Sequence, residues 1–197
     1  PGAAIQLSSG GRTLEARAFG RRFPATDAPL MQPDSIFLVA SITKPVVVSA
    51  VMLLAERGHL LLDDPACRYV PEFAVNGKES ITLRHLMTHT SGLPDMLPEN
   101  QSLREAHAPM EEFIRRICAL SPDFPAGTNI QYQSAGIAIL GEIAQRVSGL
   151  PLHDFLRREI FDPLGMADTS LGMAGLPEER LTQVVLPPEQ VGTDWGW

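Results

Sequence analysis

Phe37-Leu38-Val39-Ala40-Ser41-Ile42-Thr43-Lys44-Pro45 is the stretch on which the fold of this chain turns. An apolar run over residues 46–55 follows it, and Lys44 is the only charged residue between Asp34 and Glu56. Proline is tolerated in a helix only in the first turn, where backbone N–H groups lack partners. Pro45 therefore predicts a helix starting close to Ser41, with Gly58 as its C-terminal cap. Three residues along a helix brings Lys44 under the Ser41 side chain. An ammonium on so apolar a stretch is costly to bury and is driven towards a partner or towards loss of its proton. A serine hydroxyl is a poor nucleophile until a base removes its proton, and a deprotonated lysine is a competent base. The other reading makes Ser41 a helix cap and lets Lys44 snorkel to solvent. The second lysine, Lys78, has no serine three residues before it, so the chain carries one such pair.

Composition narrows the classes. A length of 197 residues supports one sizeable core, and 44% apolar with 20% charged residues is ordinary for a soluble globular protein. The net charge of −7, with basic runs no longer than pairs such as Arg21-Arg22, argues against nucleic acid as a partner. The apolar run of residues 46–55 is too short to span a bilayer. Cys67 and Cys118 read as two small buried thiols and do not assign a redox compartment. The chain opens at Pro1, so the absence of a signal peptide assigns no localisation.

Outward from the nucleophile stretch, residues 2–20 read as a β-hairpin with its turn at Ser8-Ser9-Gly10-Gly11. Residues 60–73 read as an ordered connection. Thr82 is placed to cap a short helix that ends before Ser91-Gly92-Leu93-Pro94. Pro109 and Met110 open another helix, with Phe113, Ile114 and Ile117 on one face. Residues 134–148 and 152–161 are also expected to be helical, and Pro187-Pro188 reads as loop. A two-stranded hairpin is marginal alone, so helices must pack on it or further strands must lie outside the chain.

The nucleophile stretch resembles the corresponding region of the serine beta-lactamase and penicillin-binding-protein superfamily, in its class C beta-lactamase, esterase and D-aminopeptidase branch. The resemblance continues in order through Pro1-Gly2-Ala3-Ala4, residues 60–65, and Ile81-Thr82-Leu83-Arg84-His85-Leu86-Met87-Thr88-His89-Thr90-Ser91-Gly92-Leu93-Pro94. It runs on through Phe124-Pro125-Ala126-Gly127, Tyr132-Gln133-Ser134-Ala135-Gly136, Leu140-Gly141-Glu142 and Ile160-Phe161-Asp162-Pro163-Leu164-Gly165-Met166. It implies an α/β (α+β) beta-lactamase-like fold, an antiparallel sheet flanked by helices plus an all-helical subdomain. Residues 1–197 would be the N-terminal portion of one such domain. Within it, residues 1–58 would hold the hairpin and nucleophile helix, and residues 59–197 a mainly helical region.

The resemblance also implies an acyl-enzyme serine hydrolase acting on a small-molecule ester or amide, without metal or organic cofactor. Ser41 would be the nucleophile, Lys44 its base and Tyr132, on the tyrosine of a Tyr-x-Asn motif, a proton relay. Ser134 stands where asparagine is usual. Serine is shorter and cannot both accept and donate across the same gap. Substrate binding is one role open to Ser134, and helix capping is another. A counterpart of the family's third motif, Lys-Thr-Gly or His-x-Gly, is missing from the chain. The missing C-terminal part of the same protein is therefore an expected partner; the alternatives are a catalytically silent penicillin-binding-like relative that binds a peptide or acyl ligand, or an inactive non-autonomous fragment. His85 and His89, four apart, would share a helix face as metal ligands only if the helix continued through them. The resemblance gives them a structural role instead, ordering the turn at Ser91-Gly92.

Overall fold

Gly10 and Gly11, both at positive φ, close a two-residue hairpin turn between β1 (Gly2–Ser9) and β2 (Arg12–Gly20). In the computed structural model, residues 2–184 are described, and Pro187-Pro188 lies outside them. The described backbone groups into two compact units, one built from residues 2–40 and 173–184, the other from Ser41 to Gly172.

In the first unit the strands pair antiparallel from Gly2↔Gly20 to Ser9↔Arg12, with an irregularity between Leu7 and Ser8. Among the described residues this sheet has two strands, and Ile5, Leu7, Leu14 and Phe19 all lie exposed on it. The chain beyond β2 folds back through an Arg21↔Leu30 bridge. Ile36 pairs in parallel with Leu181, and Thr182 N–H donates to the Ile36 carbonyl.

The second unit holds the helices: α1 (Thr43–Glu56), α2 (Leu83–Met87), α3 (Asn100–Glu105), α4 (Met110–Ala119), α5 (Ala135–Ser148) and α6 (Leu152–Leu156). The helix α6 runs into a π-helical turn, Arg157–Phe161. None of the helices of the described residues is long and apolar enough to cross a membrane. Helix α1 lies in this unit, where its buried face (Val47, Ala50, Val51 and Leu54) packs on α5. The spacing of that face is the helical i, i+3, i+4, i+7 pattern. Burying each of Val47, Val51 and Leu54 contributes about 1.5–3 kcal/mol. Gly141 lets the helices come close: a Cβ there would sit 2.9 Å from Leu152 Cδ2 and 3.9 Å from Val47 Cγ1.

Helix ends follow the expected chemistry. Gly58 N–H donates to the Ala55 carbonyl and His59 N–H to that of Leu54, a Schellman closure that needs the positive φ of Gly58. Thr82 caps α2 through its hydroxyl, which accepts from His85 N–H, while His85 Nδ1 accepts from Thr82 N–H. This is a capping box with histidine in the third helical position. Thr82→Ala is expected to lower stability by about 1 kcal/mol, measured by denaturant unfolding of the whole protein; an unchanged midpoint would argue that the box is idle.

Of the two thiols, Cys118 is buried and pushed up to about 11 by that burial, whereas Cys67 is only partly buried, a correction to the reading of both as buried. Lys78, which nothing in the sequence marked, is fully buried, and its ammonium donates to the carbonyls of Val75 and Leu120 just beyond the end of α4. Burial lowers its pKa.

Candidate active site

Ala40 has φ +45, a left-handed conformation that costs a residue with a Cβ roughly 1–2 kcal/mol. It opens a 3-10 turn, Ala40–Ile42, from which α1 continues at Thr43. Ser41 therefore lies in the turn before the regular helix, two residues ahead of its first position. The cap position of α1 is Ile42, and no side chain caps it. The Ser41 hydroxyl is instead engaged by Lys44, whose Nζ lies 3.1 Å from Oγ. Of the two readings open for Ser41, the geometry matches the serine–lysine pair and not the cap.

Tyr132 comes from the loop that leads into α5. Lys44 Nζ stands 4.7 Å from the centroid of its ring, close enough for a cation–π contact. Burial pushes the Tyr132 phenol up, but its hydrogen bonding with Lys44 and Ser41 and the lysine charge outweigh this, and the net shift is downward. A phenol so shifted exchanges its proton more readily near neutral pH. Helix α1 supplies the lysine and the approach to α5 supplies the tyrosine, so the α1–α5 packing is what assembles the trio.

The loop around Tyr132 is fixed by the turn that follows α2. His89 takes φ +60 there, and its carbonyl accepts from Gln131 N–H at 2.9 Å while its Nδ1 accepts from Gln133 N–H at 3.3 Å. Its ring lies against that of Tyr132, with centroids 4.9 Å apart. Gln133 is fully buried; its Oε1 accepts from the Ser91 hydroxyl at 2.8 Å and its Nε2 donates to the Leu86 carbonyl at 3.1 Å. Gly136 leaves space for that amide, since a Cβ there would lie 2.6 Å from it. Gly92, at φ +81, lies against the backbone carbonyl of Phe124, and its own carbonyl accepts from Asp123 N–H.

Ser134 occupies the cap position of α5, but its side chain makes no capping bond. The capping role expected of it is performed by Asp95, whose carboxylate and carbonyl both accept from Ser134 N–H, the carbonyl also from Ala135 N–H. A carboxylate there is favoured by the positive end of the α5 dipole. The helix α2 ends at Met87, before His89, so His85 and His89 do not share a helix face. Their Nδ1 atoms instead accept backbone N–H groups. Asp95, His89 and Gln133 had no role at the site in the sequence reading. Their partners lie about forty residues away along the chain, and no local spacing announces such pairs.

Comparison with known proteins adds to this geometry. Esterase EstB of Burkholderia gladioli is 34% identical over 182 residues, covering 85% of this chain and 46% of that protein. Penicillin-binding protein 4* of Bacillus subtilis (strain 168) is 32% identical over 181 residues, covering 90% of this chain and 39% of that protein. The crystal structure of a beta-lactamase/D-alanine carboxypeptidase from Yersinia pestis superposes with a TM-score of 0.78 at 28% identity, over 92% of this chain and 53% of that one. The chain thus spans about half the length of the relatives it matches or less. The two-stranded antiparallel sheet and the helices correspond to part of an α/β beta-lactamase and penicillin-binding-protein fold. The Beta-lactamase family model matches residues 1–195, a span that takes in the Ser41–Lys44 pair, Tyr132 and the turn that holds it, and the chain belongs to that family.

Proposed function

We propose that this chain carries the nucleophile side of a serine hydrolase that acts through an acyl-enzyme on small ester or amide substrates. The observation that carries the reading is the 3.1 Å approach of Lys44 Nζ to Ser41 Oγ, beside a tyrosine whose phenol is shifted down. Ser41 Oγ attacks the carbonyl carbon, and its proton passes to the coupled Lys44–Tyr132 pair. The C–O or C–N bond of the tetrahedral intermediate then breaks, and Tyr132 returns the proton to the departing oxygen or nitrogen. Water enters by the same route: the pair takes its proton, hydroxide adds to the acyl carbon, and Ser41 leaves protonated. The N–H of Ser41, at the start of the helical turn, offers one donor to the oxyanion. No step of this scheme uses a metal or an organic cofactor.

The same reading makes residues 1–197 the N-terminal portion of one beta-lactamase-like domain. The second oxyanion donor and much of the pocket wall then come from the remainder of the protein, in keeping with the share of its relatives that the chain spans. Ser134, shorter than the asparagine expected by resemblance, favours an ester or peptide substrate over a beta-lactam. It also motivates a second reading, a silent relative that binds an acyl or peptide ligand without turnover. Incubation of the whole protein with a fluorophosphonate, followed by peptide mass spectrometry, tests the proposal. The adduct is expected on Ser41. An adduct on another residue would remove the Ser41 assignment, and none in a folded protein that binds the probe reversibly would remove the proposal in favour of the silent relative.

A further inference from the structure

We propose that His89 is the positioning residue of Tyr132 and that only its neutral imidazole holds the tyrosine in place, so that the site is disarmed by acid. The inference rests on the reading of Tyr132 as proton carrier and goes beyond it by naming what keeps that phenol in place. The geometry is a bracket. One residue, His89, accepts a hydrogen bond from each neighbour of Tyr132: its main-chain oxygen from Gln131 N–H and its Nδ1 from Gln133 N–H. Its ring closes the bracket by lying against the tyrosine ring at 4.9 Å. His89 makes both bonds from a left-handed backbone at φ +60, a conformation uncommon for residues with a Cβ.

The bracket depends on protonation. Nδ1 can accept from Gln133 N–H only while it carries no hydrogen, which places the single proton of the neutral ring on Nε2. A second proton on Nδ1 sets donor against donor, and it puts a cation beside the lysine. The charged and titratable groups about His89 are Lys44 from α1, Asp95 from the turn that caps α5, and Tyr132 itself. Burial lowers the His89 pKa first, Lys44 lowers it further, and Asp95 opposes both; the net is below the ordinary 6.5. The sign follows from that direction. The neutral form is present at and above neutrality, and the bracket is lost as pH falls through the depressed pKa, not on alkalinisation.

The test compares the whole protein with two variants. His89→Asn keeps a side-chain acceptor for Gln133 N–H, tolerates positive φ, and does not titrate. His89→Phe keeps a ring against Tyr132 but has no acceptor. Ester hydrolysis by the wild type is expected to fall towards acid at the pH where the His89 ring titrates by NMR. In His89→Asn that acid limb is expected to be absent. In His89→Phe, kcat is expected to lie about 10–100-fold below wild type above the pH of the His89 titration and to converge with it below that pH, with KM little changed. A readout independent of turnover is the ring-carbon resonance of Tyr132 in protein labelled at tyrosine. It should move with the His89 titration in the wild type and lose that step in His89→Asn. An acid limb that persists unchanged in His89→Asn, or a Tyr132 resonance indifferent to His89, overturns the proposal. A coupled Tyr132 resonance in a protein that turns over no ester supports the bracket while removing the hydrolase reading.

Discussion

Lys44→Met is expected to slow acylation of Ser41 in the whole protein by about three orders of magnitude, within the 10²–10⁴-fold range of a lost acid–base group. Methionine has nearly the volume and flexibility of the lysine stem, so the packing of α1 on α5 is retained. What disappears is one atom with two functions. Nζ is the group 3.1 Å from Ser41 Oγ, and its charge also helps to hold the Tyr132 phenol below its usual range. The phenol of the variant should therefore titrate higher, by the direction of the interaction removed. Because both losses pass through one proton route, Lys44→Met combined with Tyr132→Phe should be little slower than the worse single variant. Rates of labelling by an activated ester, with a melting curve as the control for folding, check both statements. A Lys44→Met protein that acylates at the wild-type rate would dismiss the serine–lysine assignment.

Gly92→Ala is expected to lose about 3–5 kcal/mol of stability, the size reserved for mutations with a named steric cause. Two costs add there. The φ of +81 is one that a residue with a Cβ rarely adopts, and the Cβ would stand 2.1 Å from the Phe124 carbonyl oxygen. The obstructing atom is backbone, so no rotamer change relieves the contact. The segment that would have to retreat is tied to this turn at Gly92–Asp123, Thr90–Gly127 and His89–Gln131, and it leads directly to Tyr132. The loss should appear as a fall in melting midpoint of roughly 6 °C or more, at about 2–4 °C per kcal/mol for a domain of this size. Acylation of the fraction that remains folded should also slow. A midpoint within a degree of wild type would mean that the turn relaxes freely.

Much of the local structure was legible in residue type and spacing. The paired glycines of the hairpin, Thr82 ahead of α2, Gly58 behind α1, and the apolar stripe of α5 each act within a few residues of themselves. The helix α3 was not legible: Asn100-Gln101-Ser102-Leu103-Arg104-Glu105 has one buried hydrophobic side chain, so it shows no apolar period. The buried state of Lys78 was equally hidden, because its partners are carbonyls, and one of them, on Leu120, lies 42 residues away.

By itself, then, the sequence brought Ser41 and Lys44 within reach of each other, because a three-residue step at a helix start puts them on one face, and left open whether they pair. Its ordered run of motifs also named Tyr132 as the third member. Only the tertiary structure decided that Tyr132 stands over the lysine, that the Ser41 hydroxyl is not used as a cap, that Asp95 rather than Ser134 caps α5, and that His89 brackets the tyrosine. Apart from the Ser41 hydroxyl, whose partner is three residues away, these depend on hydrogen bonds and packing between segments some forty to ninety residues apart, whose pairing is set by burial of the shared core and leaves no periodic trace in either segment.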